Sequence, residues 1–219
     1  MEKEIKLDFS KMIQNWKWVK QLWETSFWKK IYNFLKEQKL KDKKILDVWS
    51  GNGRDSLFFL KKWFKVSVND ISEIWIKNLS DNIDELWLKL ENKILWDIRN
   101  IEILNKYDVI FASNSLHYFN DLDTKKVFKK LYNILDNGWF LCIRVKALTD
   151  WKKEYFFDKN KSFKHLFTIE YMKNIFKDLE NIKIIKLEKV KNIHTDLKKW
   201  DYLVDFIDLI IQKNNLIIL

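Results

Sequence analysis

Apolar and polar positions change their period repeatedly between residues 43 and 146, which predicts alternating strands and helices. Five short apolar segments are typical of strands: 43–49, 64–70, 88–97, 107–113 and 140–146. Three intervening segments carry apolar residues at helical spacing: 55–63, 71–87 and 123–135. Alternation of this kind favours an α/β fold, in which a parallel sheet is covered by helices on both faces.

The flanks of this alternating region follow other patterns. Residues 21–39 predict an amphipathic helix with Phe27, Ile31 and Leu35 on one stripe. Residues 168–179 also have helical spacing, and two apolar segments follow, at 181–190 and 201–213. We predict that these last two segments are strands that pair antiparallel.

Composition narrows the class of protein. The chain has 219 residues, of which 47% are hydrophobic and 33% charged, which suits one globular domain rather than a disordered tail. No apolar run is long enough for a membrane helix, and the charged N-terminus lacks a secretory signal. The single cysteine, Cys142, excludes a disulfide framework. We therefore expect a cytoplasmic protein with neither a metal site nor a membrane partner.

Glycine and tryptophan occur in abnormal numbers. The chain has 3 Gly and 12 Trp, whereas an average composition would give about 15 glycines in this length. One hypothesis is that UGA codons, read as glycine in the natural host, have been written as tryptophan. The alternative is a genuinely tryptophan-rich protein, such as a carbohydrate or aromatic binder.

The segment Ile-Leu-Asp-Val-Trp-Ser-Gly-Asn-Gly-Arg-Asp at 45–55 joins the first predicted strand to the first helix of the alternating region. Doubly wound folds bind their ligands at such junctions. Gly51 and Gly53 allow the backbone to turn and to approach a ligand closely. Read with glycine in place of Trp49, the segment resembles motif I of the class I S-adenosylmethionine-dependent methyltransferases, which has the form D-x-G-x-G-x-G.

Further landmarks of that family follow in the same order. Asp70 ends the second strand, about 20 residues beyond the glycines, where an acid binds ribose hydroxyls. Asp97 stands after the third strand, and the fourth strand ends in Ser113-Asn114. Residues 135–140 are similar to the L-x-P-G-G turn of the family. The resemblance implies S-adenosylmethionine as the cofactor, bound by Asp47, Trp49, Gly51, Gly53, Asp70, Ile71, Asp97, Ile98, Ser113 and Asn114.

The resemblance also implies an architecture. It predicts a doubly wound, Rossmann-like, seven-stranded sheet of order 3-2-1-4-5-7-6, with the last strand antiparallel. We expect an N-terminal helical lid at 1–40 and a methyltransferase domain at 41–219, with the donor-binding core at 43–146. Within the family, the segment at 52–59 is similar to small-molecule methyltransferases of the tellurite-resistance and thiopurine type.

The same comparison locates tryptophans where the family has glycine or another small residue. Trp63 and Trp87 end helices just before strands, where a left-handed glycine usually closes the helix. Trp49 occupies the first glycine of motif I, and Trp96 and Trp139 stand at further small-residue positions. Trp28 lies on a predicted helix, where a real tryptophan is acceptable.

The acceptor is less well defined by the sequence. We expect methyl transfer to a small molecule, with His117 and Tyr118 as candidates for substrate contact or a general base, although a structural histidine explains His117 as well. A sulfur, selenium or tellurium nucleophile would need no base. His165 and His194 match no metal-ligand spacing.

Two other functions remain open. The net charge of +10 favours an RNA methyltransferase. However, only three of the 41 basic residues are arginine, and the lysines are spread along the chain, which makes nucleic acid an unlikely partner. A non-catalytic relative that binds S-adenosylmethionine is the third reading, and it applies if Trp49 is genuine and fills the donor site.

Overall fold

A mixed sheet of seven strands forms the centre of the protein. The structure, a computed structural model, describes residues 26–40, 42–100, 102, 105–149, 154–157, 163–177, 179–196 and 199–214. The sheet strands are β1 (Lys44–Val48), β2 (Lys65–Asp70), β3 (Asn92–Leu95), β4 (Tyr107–Ser113), β5 (Leu135–Lys146), β8 (Ile182–Asp196) and β9 (Lys199–Lys213). A separate hairpin consists of β6 (Tyr155–Phe157) and β7 (Phe163–His165).

Five α-helices and one 3-10 turn are described. The helices are α1 (Ser26–Glu37), α2 (Arg54–Lys61), α3 (Glu73–Asp84), α4 (Asp121–Ile134) and α5 (Ile169–Asn174). The 3-10 turn, Leu116–Tyr118, follows β4. Among the described helices, none is long and apolar enough to cross a membrane.

The strand order is β3-β2-β1-β4-β5-β9-β8. Strands β1 to β5 pair in parallel, whereas β9 runs antiparallel to both β5 and β8. Counted along the chain within this sheet, the order is 3-2-1-4-5-7-6 with the last strand antiparallel. The predicted Rossmann-like fold is therefore confirmed.

Alternate residues of the strands bury their side chains on opposite faces of the sheet, as strand geometry requires. One face packs against α1, α2 and α3, where Ile45, Val109 and Cys142 belong to one core cluster. The other face packs against α4 and α5, with Leu46 and Ile110 in a second cluster. Both faces are covered, which explains the continuous apolar runs in β4 and β5.

Helix α1 packs directly on the sheet. Phe27 stacks on Phe111 of β4 at 5.3 Å between ring centroids, and Phe34 meets Phe140 of β5 edge-on at 4.9 Å. Trp28 is only 4% exposed and packs on Phe58, so it is a core residue like its neighbours. Residues 1–25 lie outside the described residues, and the lid at 1–40 stays a prediction.

The C-termini of α2 and α3 both close in the left-handed conformation. Trp63 has φ 68° and Trp87 φ 56°. Trp63 N–H donates to the carbonyl of Leu60 and the following Phe64 N–H to that of Phe59, which is a Schellman motif. Trp87 and Leu88 form the same pair of bonds to α3. Such a site favours glycine, so the structure agrees with the sequence comparison at both positions.

Some elements differ from the sequence prediction. The β6–β7 hairpin was not predicted, because strands of three residues leave no periodic pattern. β3 covers only four residues of the apolar segment at 88–97. The segment predicted as a turn at 135–140 lies within β5, where the pairing shifts between Tyr107↔Leu135 and Val109↔Phe140, so four residues form a bulge there.

Candidate active site

The carboxyl ends of β1 and β4 form the switch point of the sheet. From β1 the chain continues to β2 on one side, and β4 with β5 lies on the other. The loops that follow β1 and β4 therefore diverge and leave a crevice, which is where doubly wound sheets bind ligands. The residues predicted from motif I follow β1, and Ser113-Asn114 end β4.

The loop after β1 contains three left-handed residues: Trp49 at φ 54°, Gly51 at φ 54° and Gly53 at φ 70°. A Cβ on Gly53 would lie 2.1 Å from Cδ1 of Leu79 in α3, so only glycine fits there. A Cβ on Gly51 would meet nothing within 4 Å, which leaves open space above its backbone. The loop is thus closed towards α3 and open at Gly51, where a ligand can approach.

Asp70 links the end of β2 to this loop. Its carboxylate accepts a hydrogen bond from Gly51 N–H at 2.8 Å and another from Ser72 N–H at 2.9 Å. Burial raises the pKa of Asp70, while the backbone hydrogen bonds from Ser72 and Gly51 act in the opposite direction. The acid predicted to bind ribose hydroxyls is therefore held beside the open glycine.

Asp47 lies beneath the loop and is buried. The Ser56 hydroxyl donates to its Oδ2 at 2.5 Å. Burial, and then the nearby Asp55 carboxylate, raise the pKa of Asp47 to about 8. The pKa of Asp55 is also raised by burial, although Arg54 pairs with it at 3.1 Å and opposes the shift. The raised pKa favours the protonated form of Asp47, and an arriving cation would favour loss of that proton.

Asp97 follows β3 and forms an ion pair with Arg99. Guanidinium Nη2 of Arg99 lies 2.6 Å from Oδ2 of Asp97, and its Nη1 lies 3.0 Å from Asp123. Partial burial opposes ionisation of Asp97, but the hydrogen bonds and charge of Arg99 outweigh it and hold the pKa below its usual value. Asp97 is an anchored, ionised acceptor, and a ligand amino group would share it with Arg99.

The side chain of Trp49 turns towards the loop after β4. Its ring lies 5.6 Å from that of Tyr118 and 4.8 Å from that of Phe119, centroid to centroid. Its indole Nε1 is buried without a hydrogen-bond acceptor. An indole with an unpaired N–H in a strained backbone position is an unfavourable occupant of this crevice.

Several polar groups around the crevice are buried without partners. Among the described residues these include Oγ of Ser50, Ser113 and Ser115 and Oδ1 of Asn114. Asn114 also has φ 58° and its N–H donates to the carbonyl of Arg144. Unsatisfied groups are rare in protein interiors and indicate a missing polar partner. Together with Asp70 and the open Gly51, they fit a polar adenosine-containing ligand such as S-adenosylmethionine.

The two isoleucines predicted to bind the cofactor have different environments. Ile98 is fully buried in the core, whereas Ile71 is partly exposed beside Asp70. Within the described residues, no group of His, Cys, Asp or Glu side chains is arranged to hold a metal ion.

His117 and Tyr118 lie in the 3-10 turn beside the crevice, with their rings 4.2 Å apart. Both ring nitrogens of His117 are buried without a hydrogen-bond partner. Burial, together with the positive charges of Lys146 and Lys164, holds the pKa of His117 well below its usual value. The imidazole is therefore neutral, and its surroundings make it a weaker base than a free imidazole.

Three basic residues near His117 were missed by the sequence analysis. Lys146 ends β5, and Lys164 and His165 lie on β7. The Lys164 ammonium lies 3.5 Å from the centroid of the Tyr118 ring. The signal for Lys146 was available, since it ends a strand at the same sheet edge as Ser113. Lys164 and His165 could not be located without the hairpin.

A known family matches the part of the chain that builds this crevice. The sequence profile of the methyltransferase domain family matches residues 45–138. A search of curated proteins gives no match.

Solved structures of low sequence identity share the fold. TehB from Haemophilus influenzae has a TM-score of 0.71 at 19% identity, over 85% of this chain and 62% of TehB. An S-adenosylmethionine-dependent methyltransferase from Clostridium acetobutylicum gives 0.68 at 17%, over 94% and 96%. The Burkholderia thailandensis 1,6-didemethyltoxoflavin-N1-methyltransferase, with bound 1,6-didemethyltoxoflavin and S-adenosylhomocysteine, gives 0.70 at 12%, over 94% and 87%. This chain thus spans about three fifths of the length of TehB.

Proposed function

We propose that this chain is an S-adenosylmethionine-dependent methyltransferase, whose methyltransferase domain includes residues 45–138, and that it transfers a methyl group to a small-molecule acceptor. The observation that carries the proposal is the contact between Asp70 and Gly51. It places a carboxylate beside the single open position of the glycine loop. An adenosine ribose at that position would have a charged acceptor for its hydroxyls.

The remaining donor contacts follow from the same geometry. Asp97, fixed by Arg99, is the acceptor for the adenine amino group. Asp47 is the acceptor for the cationic end of the donor, and it would release its proton on binding. Ser113 and Asn114 lie at the end of β4. Their side-chain oxygen atoms, Oγ and Oδ1, have no hydrogen-bond partner and would bind polar groups of the donor. Gly53 holds the loop close to α3.

The bound donor supplies an electrophilic methyl group on a sulfonium, so the protein chiefly aligns the acceptor and excludes water. The acceptor's lone pair forms the new bond to the methyl carbon, while the carbon–sulfur bond breaks and leaves its electron pair on sulfur. Where the acceptor is an N–H or O–H group, His117 is the candidate base, because its ring nitrogens have no other partner.

We assign glycine to position 49 of the natural protein. Support comes from its φ of 54°, from the unpaired indole N–H and from the position of the ring beside Tyr118. The left-handed φ values at Trp63 and Trp87 support the same assignment there. Trp96 and Trp139 are outside the set of left-handed residues, so the backbone gives no reason for glycine at either. Sequencing the codons of all twelve tryptophans decides the question.

A small acceptor is favoured over RNA by the chain's own residues. Its basic residues are mostly lysines spread along the sequence, without an arginine-rich surface. The Burkholderia protein with the same fold is named for methylation of 1,6-didemethyltoxoflavin, which it binds together with S-adenosylhomocysteine. We also propose a cytoplasmic location, since the single cysteine, Cys142, is free and buried.

The proposal is tested by measuring S-adenosylhomocysteine formation from S-adenosylmethionine with two fractions of a bacterial extract. We expect product with the fraction below about 1 kDa and none with purified RNA. The Asp70→Ala variant should lose the activity. Product formed only with RNA would establish the alternative, and donor binding without product from either fraction would favour the non-catalytic relative.

A further inference from the structure

The basic residues near His117 surround one side of the crevice. Lys146 ends β5, which lies beside β4 in the sheet, so its side chain starts from the same edge as Ser113. Phe167 N–H donates to the Lys146 carbonyl at 2.9 Å, and Leu148 N–H to the Phe167 carbonyl at 2.7 Å. These bonds fix the chain that follows β7 to the end of β5, and so bring Lys164 and His165 over the same edge.

Lys164 is unusual because it is a lysine with only 6% of its surface exposed. Lysine is almost never buried to this extent without compensation. Its ammonium lies on the face of Tyr118, whose ring neighbours both His117 and Trp49. Lys164 therefore contacts Tyr118, which in turn contacts Trp49 in the loop that follows β1.

Besides burial, two ammonium groups, those of Lys146 and Lys164, act on His117 and lower its pKa. Two carboxylates near His165 have partners of their own. Glu154 lies 3.7 Å from Nε2 of His165, and Asp121 accepts hydrogen bonds from Tyr171 and Lys125. Burial lowers the pKa of His165 and both carboxylates oppose that shift, whereas neither is among the groups that shift the pKa of His117.

We propose that the methyl acceptor carries an anionic group, a carboxylate or an oxyanion, that binds to the ammonium groups of Lys146 and Lys164 beside His117. This inference rests on the proposed function and names the class of its substrate. Both lysines have further contacts within the protein, and the arriving anion joins or exchanges with these. Two ammonium groups in a water-poor site bind an anion through charge-assisted hydrogen bonds, which a neutral molecule cannot form. The unpartnered ring nitrogens of His117 then face the bound molecule.

The test is calorimetry of the full-length Trp49→Gly protein, which is the parent of all variants, with three probes: benzoate, benzamide and inorganic sulfate. Benzoate and benzamide have the same ring and differ in charge. We expect benzoate to bind at least tenfold more tightly than benzamide, and sulfate to show whether an oxyanion suffices without a carbon skeleton. Lys164→Met and Lys146→Met should each weaken binding of the anion at least tenfold. Lys77→Met, on the exposed side of α3, is the matched control and should leave it unchanged.

Binding of S-adenosylhomocysteine to each variant separates this inference from the proposed function. Retained binding shows that a variant is folded and keeps its donor site. Should Lys164→Met fail to fold, Lys146→Met carries the test, because Lys146 is only half-buried at a strand end. Equal affinity for benzoate and benzamide, no binding of either anion, or binding indifferent to both lysines would overturn the anionic acceptor. If the Trp49→Gly parent does not bind S-adenosylhomocysteine, the methyltransferase function itself is overturned.

Discussion

Replacing Trp63 and Trp87 by glycine removes two strained backbone positions without removing core contacts. The side chains are 79% and 96% exposed, and their φ angles are 68° and 56°. A residue with a Cβ in this conformation costs about 1–2 kcal/mol, and replacing it by glycine removes this strain. Glycine loses more chain entropy on folding, which offsets about 0.5–1 kcal/mol of the gain. We therefore expect each replacement to raise the free energy of unfolding by about 0.5–1 kcal/mol.

The two sites close different helices, so their effects should add. The double variant then gains about 1–2 kcal/mol, which corresponds to a rise in Tm of about 2–8 °C for a domain of this size. Urea unfolding and thermal scans of the single and double variants measure both quantities.

Two other tryptophans serve as controls. Trp96 is 67% exposed but is outside the set of left-handed residues, so Trp96→Gly should not stabilise the protein. Trp28→Ala removes a buried side chain and should cost about 3–5 kcal/mol. If Trp63→Gly and Trp87→Gly are no more stable than Trp96→Gly, then backbone strain does not select glycine at these positions, and the structural support for recoding is lost.

Three further predictions concern the crevice. Trp49→Gly should raise affinity for S-adenosylhomocysteine more than tenfold in calorimetry, because it removes the indole beside Tyr118; unchanged affinity would make Trp49 a genuine part of the site. The pKa of Asp47 in the folded protein, about 8, lies above its ordinary value of 3.8. The protonated carboxyl of Asp47 therefore contributes fully to the free energy of unfolding below pH 4. This contribution is lost as the pH rises towards 8, by up to about 1 kcal/mol per pH unit. Asp47→Asn should flatten that part of the pH–stability profile, and an unchanged slope would show that Asp47 is ionised. His117→Gln should lower kcat about 100-fold for an N–H or O–H acceptor and leave donor affinity unchanged; full activity would exclude it as the base.

The parallel sheet could be predicted from sequence because strands such as β1 and β4 are buried apolar runs next to helices. β4, Tyr107–Ser113, agrees with the prediction to the residue. Ser72 caps α3 by accepting a hydrogen bond from Trp75 N–H. The positions of the left-handed helix ends were also predictable. A Schellman motif needs a residue without a Cβ penalty, and Trp63 and Trp87 occupy that place in the chain.

The acceptor side was not predictable, for physical reasons. β6 and β7 have three residues each and come together only through pairing across the intervening loop. Lys164 and His165 therefore look like parts of a charged loop until the tertiary structure places them beside His117. The pairing of Asp97 with Arg99 likewise depends on side-chain geometry that the sequence alone did not reveal.

The most direct test of the central claim is the affinity of the full-length Trp49→Gly protein for S-adenosylhomocysteine, with and without Asp70. Calorimetry of Asp70→Ala should show binding weaker by about 1–3 kcal/mol, since ribose hydroxyls and the Gly51 N–H lose a buried charged partner. Asp136→Ala, at an exposed position in the bulge near the start of β5, is the matched control and should bind like the parent. Equal affinity of the Asp70→Ala protein and its parent would contradict the assignment of this crevice as the methyl-donor site.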